Sequence, residues 1–204
     1  DLEQILAGIS PESADDRDFL INALQTSKEN RNPSILVLIA ALEAQNGQLN
    51  DALNTVNLAL KKRPKTTGYI LMKANLLTAL GDEEAAREWY EKSSRKHRSN
   101  LDVRLAEAKY LVKINESELA LKKLEDIIKK WPKAEEALFL GGLTSIDLEQ
   151  YEKAEKYLVE LRYSAQYQNE AYYYLAVNAE RKQHFETAKA YYRLVDGSLY
   201  TVSR

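Results

Sequence analysis

The chain has 204 residues, 45% hydrophobic and 29% charged, with a formal net charge of −2 and no cysteine. The missing cysteine excludes disulfides, thiolate metal sites and cysteine nucleophiles, and interspersed charges of both signs give no reason to expect a polyanionic partner. No window approaches about 18 consecutive apolar residues, so no segment reads as a membrane span.

Residues 1–32 stand apart from the rest of the chain. Leu2, Ile5, Leu6 and Ile9 mark a short amphipathic helix, and Ser10 with Pro11 reads as an N-cap with proline at the first helical position. Phe19, Leu20, Ala23 and Leu24 are expected to form the apolar face of the next helix. This N-terminal pair is either a cap or a degenerate repeat, and Asn30-Arg31-Asn32-Pro33 turns the chain into a regular array.

Within that array Ala52, Ala86, Ala120, Ala154 and Ala188 recur at one fixed interval, without insertion or deletion. A constant period of this size marks stacked repeats, each burying its apolar face on the next. Twelve residues before each alanine stands another small residue: Ala40, Ala74, Ala108, Gly142 and Ala176. Two facing small columns let the backbones of a helical pair approach closely. Four residues after each alanine, on the same helix face, come Val56, Tyr90, Leu124, Leu158 and Tyr192. The periods run 33–66, 67–100, 101–134, 135–168 and 169–202, each a helix, a turn and a second helix. Gly47, Gly81 and Asn115 suit the left-handed residue that ends a helix. The last two turns, at Glu149 and Gln183, lack such a residue and leave their geometry open. Pro64 and Pro132 close the first and third periods, where proline stops a helix at little cost. Asp196-Gly197 is expected to stop the last helix, with Ser198 to Arg204 opening another. Asp1 is not an initiator methionine, no secretory leader opens the chain, and both ends read as cut from a longer array.

These columns resemble the tetratricopeptide repeat, most clearly from Gly47 through Ala52 to Pro64 and over Tyr151-Glu152-Lys153-Ala154. The resemblance covers residues 33–202 and implies an all-α, right-handed superhelical solenoid of helix-turn-helix repeats. Glu83 and Ser117 depart from the family pattern where a large residue is usual, and Arg98 where proline is. The family lines an inner groove with first-helix residues, which carries over onto Leu71, Asn75, Leu105, Lys109, Phe139, Leu143, Tyr173 and Val177, with Val37 and Ala41 earlier in the row. Their apolar members would dock a peptide, with Asn75 and Lys109 as polar anchors and Phe139 and Tyr173 as dominant aromatics. A carboxylate clamp of the co-chaperone type is disfavoured, because Leu71 stands where its lysine belongs.

Other features read more plainly. The basic clusters Lys61-Lys62-Arg63, Arg95-Lys96-His97-Arg98 and Lys129-Lys130 fall at second-helix C-termini, where cations stabilise the helix dipole; a basic stripe for phosphate or anionic lipid is the alternative. His97 and His184 lie in turns with no ligand spacing around them, and Gly141-Gly142 lacks the rest of a phosphate loop and reads as close packing. No serine nucleophile motif appears. Ten of the 13 tyrosines follow residue 150, and Tyr172-Tyr173-Tyr174 cannot all point into a core, which singles out Tyr173 as a contact residue. No catalytic residue, metal or cofactor is expected.

The stretch from Ala190 to Arg204 resembles a segment of gamma-proteobacterial tetratricopeptide lipoproteins of the cell envelope. That group delivers substrates to a carboxyl-terminal processing protease that trims cell-wall hydrolases. The expectation is therefore a non-enzymatic protein-binding scaffold on the periplasmic side of the bacterial envelope, partnered by such a protease or its hydrolase substrate. Membrane attachment would come only through a lipid anchor outside this chain. A cytosolic peptide-binding module is the rival, and an RNA-binding helical repeat the more distant one.

Overall fold

A computed structural model describes residues 13–195, which contain helices and turns and no strand. The expected helix at Leu2–Ile9, the Ser10-Pro11 cap and the segment from Asp196 onward lie outside the described residues. The helices are α1 (Ala14–Thr26), α2 (Pro33–Gln45), α3 (Leu49–Lys62), α4 (Thr67–Ala79), α5 (Glu83–Lys96), α6 (Leu101–Lys113), α7 (Ser117–Lys130), α8 (Glu135–Asp147), α9 (Tyr151–Val159), α10 (Gln168–Arg181) and α11 (Phe185–Tyr192). The chain divides within α6 into two compact units, Asp1–Val103 and Arg104–Arg204.

In the first unit α1 packs on α2, α2 on α3, α3 on α4 and α4 on α5. Helix α1 is capped by Ser13, whose hydroxyl accepts from Asp16 N–H while the Asp16 carboxylate reaches back to the Ser13 N–H. Its buried face is Leu20, Ile21 and Leu24, set against Ile35, Ile39 and Leu42 of α2. Each of these side chains contributes roughly 1.5–3 kcal/mol when fully buried. Phe19, expected on that face, is 67% exposed. The buried stripe is shifted by one residue, so that Ile21 takes its place. The Asn32 side chain accepts from Ser34 N–H with Pro33 at the first helical position, which starts α2 sharply. A second core joins Ala40, Ala52, Val56, Ile70, Leu76 and Val103.

In the second unit α7 packs on α8, α8 on α9, α9 on α10 and α10 on α11, with α8 also touching α10. Leu121, Leu138, Tyr157, Leu161 and Ala171 form a core there. Ion pairs cross between helices: Lys123 to Glu107 at 2.5 Å, Lys153 to Glu125 at 2.5 Å, and Lys182 to Glu155 at 3.2 Å and to Glu152 at 3.4 Å.

Both small-residue columns are buried as expected. Ala52, Ala86, Ala120 and Ala154 are 0% exposed and Ala188 is 2%, each the fourth residue of its helix. The facing Gly142 is packed so closely that an added Cβ would lie 2.6 Å from Leu158 Cγ, and one at Gly141 would lie 3.1 Å from Tyr157 Cδ2. That contact, and not phosphate binding, accounts for the glycine pair.

The turns resolve what the sequence left open. Gly47, Gly81 and Asn115 have φ of 77°, 73° and 59°, and Glu149 and Gln183 join them at 58° and 61°. All five close the same way. The next residue's N–H reaches back to a carbonyl of the preceding helix, from Gln48 to Glu43 O, Asp82 to Leu77 O, Glu116 to Leu111 O, Gln150 to Ser145 O and His184 to Ala179 O. This is the Schellman arrangement, which satisfies carbonyls the helix end leaves unpaired. The helical pairs impose it even on residues that disfavour it.

Candidate partner-binding face

The expected row of site residues falls in both units. In the first unit, Leu71 on α4 is half-buried against the core and Asn75 is exposed. The remaining six lie on α6, α8 and α10 of the second unit, where the first helices of successive pairs present one side.

There the geometry is more specific than the row implied. Lys109 Nζ donates to Glu136 Oε1 at 2.7 Å, with the two side chains 54% and 40% exposed. Lys109 is therefore half of a pair and not a free anchor. An exposed pair of this kind contributes little stability, roughly 0–1 kcal/mol. Its value lies in displaying both charges in a fixed place. One turn along α8 from Glu136 is Phe139, half-buried, its ring centroid 5.0 Å from Tyr167 and 5.7 Å from Tyr174. Tyr174 meets Tyr173 edge-on at 5.1 Å, and Tyr173 meets Tyr192 at 5.9 Å. The result is a continuous run of rings, Tyr167–Phe139–Tyr174–Tyr173–Tyr192. Edge and tilted pairs each add about 0.5–1.5 kcal/mol beyond the area they bury, so these half-exposed rings are held in fixed orientations.

Leu105 does not join this surface: it is 7% exposed and turned into the fold, a correction to its place in the row. Leu143 and Val177 are half-buried on the same helices. All of Tyr172, Tyr173 and Tyr174 are half-buried, because partners surround the helix on several sides. Tyr172 stacks on Tyr191 at 6.4 Å, away from the main run. Tyr200 lies outside the described residues.

Sequence reasoning missed Tyr167 and Glu136. Tyr167 is the N-cap of α10, and its position is built by Ser164, which is 6% exposed. The Ser164 hydroxyl donates to Glu135 Oε2 at 2.8 Å and accepts the N–H groups of Gln166 and Tyr167 at 3.2 and 3.0 Å. Burial raises the Tyr167 phenol above its ordinary value; the Glu136 carboxylate adds to the rise and Lys109 opposes it. The phenol is thus a neutral donor at physiological pH, placed near the Lys109 cation, the Glu136, Glu135 and Glu170 carboxylates and apolar rings. The excess of tyrosine after residue 150 was the signal that pointed here.

Among the described residues no three His, Asp or Glu side chains converge to hold a metal, and no helix is long and apolar enough to cross a membrane. His184 is the exposed N-cap of α11 and His97 the half-buried C-cap of α5.

Stacked helical pairs with facing small-residue columns and left-handed turns define the tetratricopeptide fold. The family model described as tetratricopeptide repeat matches residues 68–95. Among solved structures, MamA 41-end from Desulfovibrio magneticus RS-1 is 19% identical, with 84% of this chain and 97% of that one covered and a TM-score of 0.68. YrrB, described as a TPR protein with an unusual peptide-binding site, is 20% identical over 90% and 92% of the two chains, with a TM-score of 0.63. The pilF protein of Pseudomonas aeruginosa is 17% identical over 83% and 77%, with a TM-score of 0.65. These likenesses carry the fold. No curated protein sequence matches the chain.

Proposed function

We propose that this protein is a non-enzymatic scaffold that binds a segment of a partner protein on the α6–α8–α10 face of its second unit. The observation that carries this reading is the run of half-exposed, mutually braced aromatic rings beside the Lys109–Glu136 pair. Rigid tyrosines bury amphipathic area at small cost in side-chain entropy, and binding energy concentrates on such anchors. Phe139 and Tyr173 supply apolar contact, the Tyr167 phenol donates a hydrogen bond, and the charged pair fixes orientation. Leu143 and Val177 extend the apolar floor, and Leu71 with Asn75 offer a smaller surface on the first unit. The peptide-binding description of YrrB, a protein of similar fold, agrees with this reading.

The particular partner in this reading is a carboxyl-terminal processing protease, or its cell-wall hydrolase substrate, on the periplasmic side of the bacterial envelope. Its support is the resemblance of the segment from Ala190 to Arg204 to the envelope lipoprotein group. Capture of envelope proteins by the wild-type chain, followed by the double substitution Phe139→Ala and Tyr173→Ala, tests both levels. The double variant is expected to lose capture while keeping helical content. Capture of cytosolic partners alone would remove the protease reading, and unchanged capture by the double variant would remove the aromatic face.

A further inference from the structure

A second surface, in the first unit and separate from the aromatic face, carries its own chemistry. Helices α3, α4 and α5 enclose an open cleft of about 630 Å³, whose cationic wall is Lys61, Lys73, Lys92 and Lys96. No carboxylate lines it. The dipole reading explains Lys61 and Lys96, which sit in the last turns of α3 and α5. It does not explain Lys73 in mid-α4 or Lys92 in mid-α5. Apolar floor comes from Leu60 and Ile70, which are buried, and from Leu58, which is 49% exposed.

Lys73 is the informative residue. At the same place in the other repeats stand Ile39, Glu107, Gly141 and Leu175. Three of these are uncharged, and Glu107 is neutralised by Lys123 at 2.5 Å. Lys123 in turn occupies the repeat position that Trp89 holds one period earlier, so each such pair faces across one helical hairpin. Where the later hairpin has carboxylate against ammonium, this one has ammonium against indole, with Lys73 Nζ 4.1 Å from the Trp89 ring centroid. The ring is immobilised by its own N–H, which donates to Ile70 O at 3.0 Å. Lys73 is half-buried, and its basicity is lowered first by burial and next by Lys92, with Glu88 opposing. A cation held in this setting, among further cations and with no carboxylate in the cleft, is complementary to an anion.

We propose that this cleft binds an acidic segment of a partner protein, with a carboxylate between Lys73 and Lys92 and a neighbouring apolar side chain on Leu58, Leu60 and Ile70. The cleft is larger than a single inorganic anion requires, and its apolar floor suits a side chain. A nucleic-acid backbone fits less well: it brings no apolar side chain to Leu58, Leu60 and Ile70, and Lys73 already covers the face of the indole on which a base would stack.

The test uses the whole chain and a fluorescein-labelled heptapeptide with three acidic residues on either side of a leucine, read by anisotropy at low salt. Its Asn/Gln counterpart, poly(U) and vesicles of phosphatidylserine and phosphatidylcholine serve as competitors. The acidic peptide is expected to bind at least tenfold more tightly than the neutral one. Lys73→Met, which keeps the stem over Trp89, and Lys92→Met should each weaken it about tenfold, the loss expected for one charge-assisted contact. Phe139→Ala with Tyr173→Ala should leave this binding unchanged, which separates it from the aromatic face. Lys73→Met removes a half-buried charge and should melt no lower than the parent; Lys92 is exposed, so the second variant reports even if the first is perturbed. Equal binding of the neutral peptide, affinity within twofold for both variants, or stronger competition by poly(U) or vesicles would each overturn the proposal.

Discussion

The two left-handed turn residues that are neither glycine nor asparagine make a quantitative test of what sets the hairpin geometry. Holding a Cβ-bearing residue at φ near 60° costs roughly 1–2 kcal/mol, and glycine avoids that cost while losing about 0.5–1 kcal/mol in chain entropy on folding. Glu149→Gly and Gln183→Gly should therefore each stabilise the second unit by about 0.5–1 kcal/mol. Both side chains are exposed, so little else is removed. The reverse substitutions Gly47→Ala and Gly81→Ala isolate the backbone equally well, because a Cβ there would meet no atom within 4 Å. They should destabilise the first unit by a similar amount. Repeat arrays need not unfold in one step, so urea melts should be accompanied by amide exchange at Gln150 and His184. Those N–H groups make the long Schellman bonds to Ser145 and Ala179. Unchanged or lower stability in both glycine variants, with these amides still protected, would refute the idea that the turn is imposed at a backbone cost.

Gly142→Ala gains roughly 1 kcal/mol of helix propensity but drives a methyl to 2.6 Å from Leu158 Cγ; overpacking of about 1–3 kcal/mol should win, lowering the thermal midpoint. Ala120→Leu, at a fully buried position, should destabilise by a comparable amount or more, measured the same way. Glu43 is 4% exposed with its Oε2 unpartnered. Burial raises its carboxyl above the usual range, Asp51 adds to the rise, and a hydrogen bond from Thr55 partly opposes it. Because the folded form holds the proton more tightly than the unfolded chain, this group favours folding below its unfolded value. That contribution is lost as pH rises through the folded one. Glu43→Gln should accordingly raise the melting temperature at pH 7 and flatten its dependence above the ordinary carboxylate range; a steeper dependence would contradict the assignment.

What was legible in the sequence was whatever repeats. The alanine and small-residue columns fix helix pairing because a bulky side chain at either position separates two backbones, and that constraint prints itself every period. Glu149 and Gln183 carried no such print: their conformation follows from the packing of α8 on α9 and α10 on α11, and nothing in glutamate or glutamine signals it. Phe19 was misplaced because α1 has no periodic neighbour to fix its rotation, and a one-residue shift of an amphipathic stripe changes which apolar residue is buried. At the candidate face, Phe139 and Tyr173 were found through family positions. Tyr167 and Glu136 were not, since one lies in a connecting turn and the other matters only through Lys109 on the preceding pair. Partners drawn from neighbouring hairpins leave no local pattern.

The ion pairs of the second unit also bear on how it comes apart. Glu125 with Lys153 joins α7 to α9, and Glu155 with Lys182 joins α9 to the C-cap of α10, so these two pairs couple adjacent hairpins, whereas Glu107 with Lys123 spans a single one. In a linear array, the strength of such couplers decides whether hairpins melt together or one at a time. Several are partly exposed and therefore open to screening by salt. Added electrolyte would then broaden the unfolding transition more than it lowers its midpoint, letting the α10–α11 hairpin unravel while α7 and α8 hold. Ionic strength would act as a dial on cooperativity.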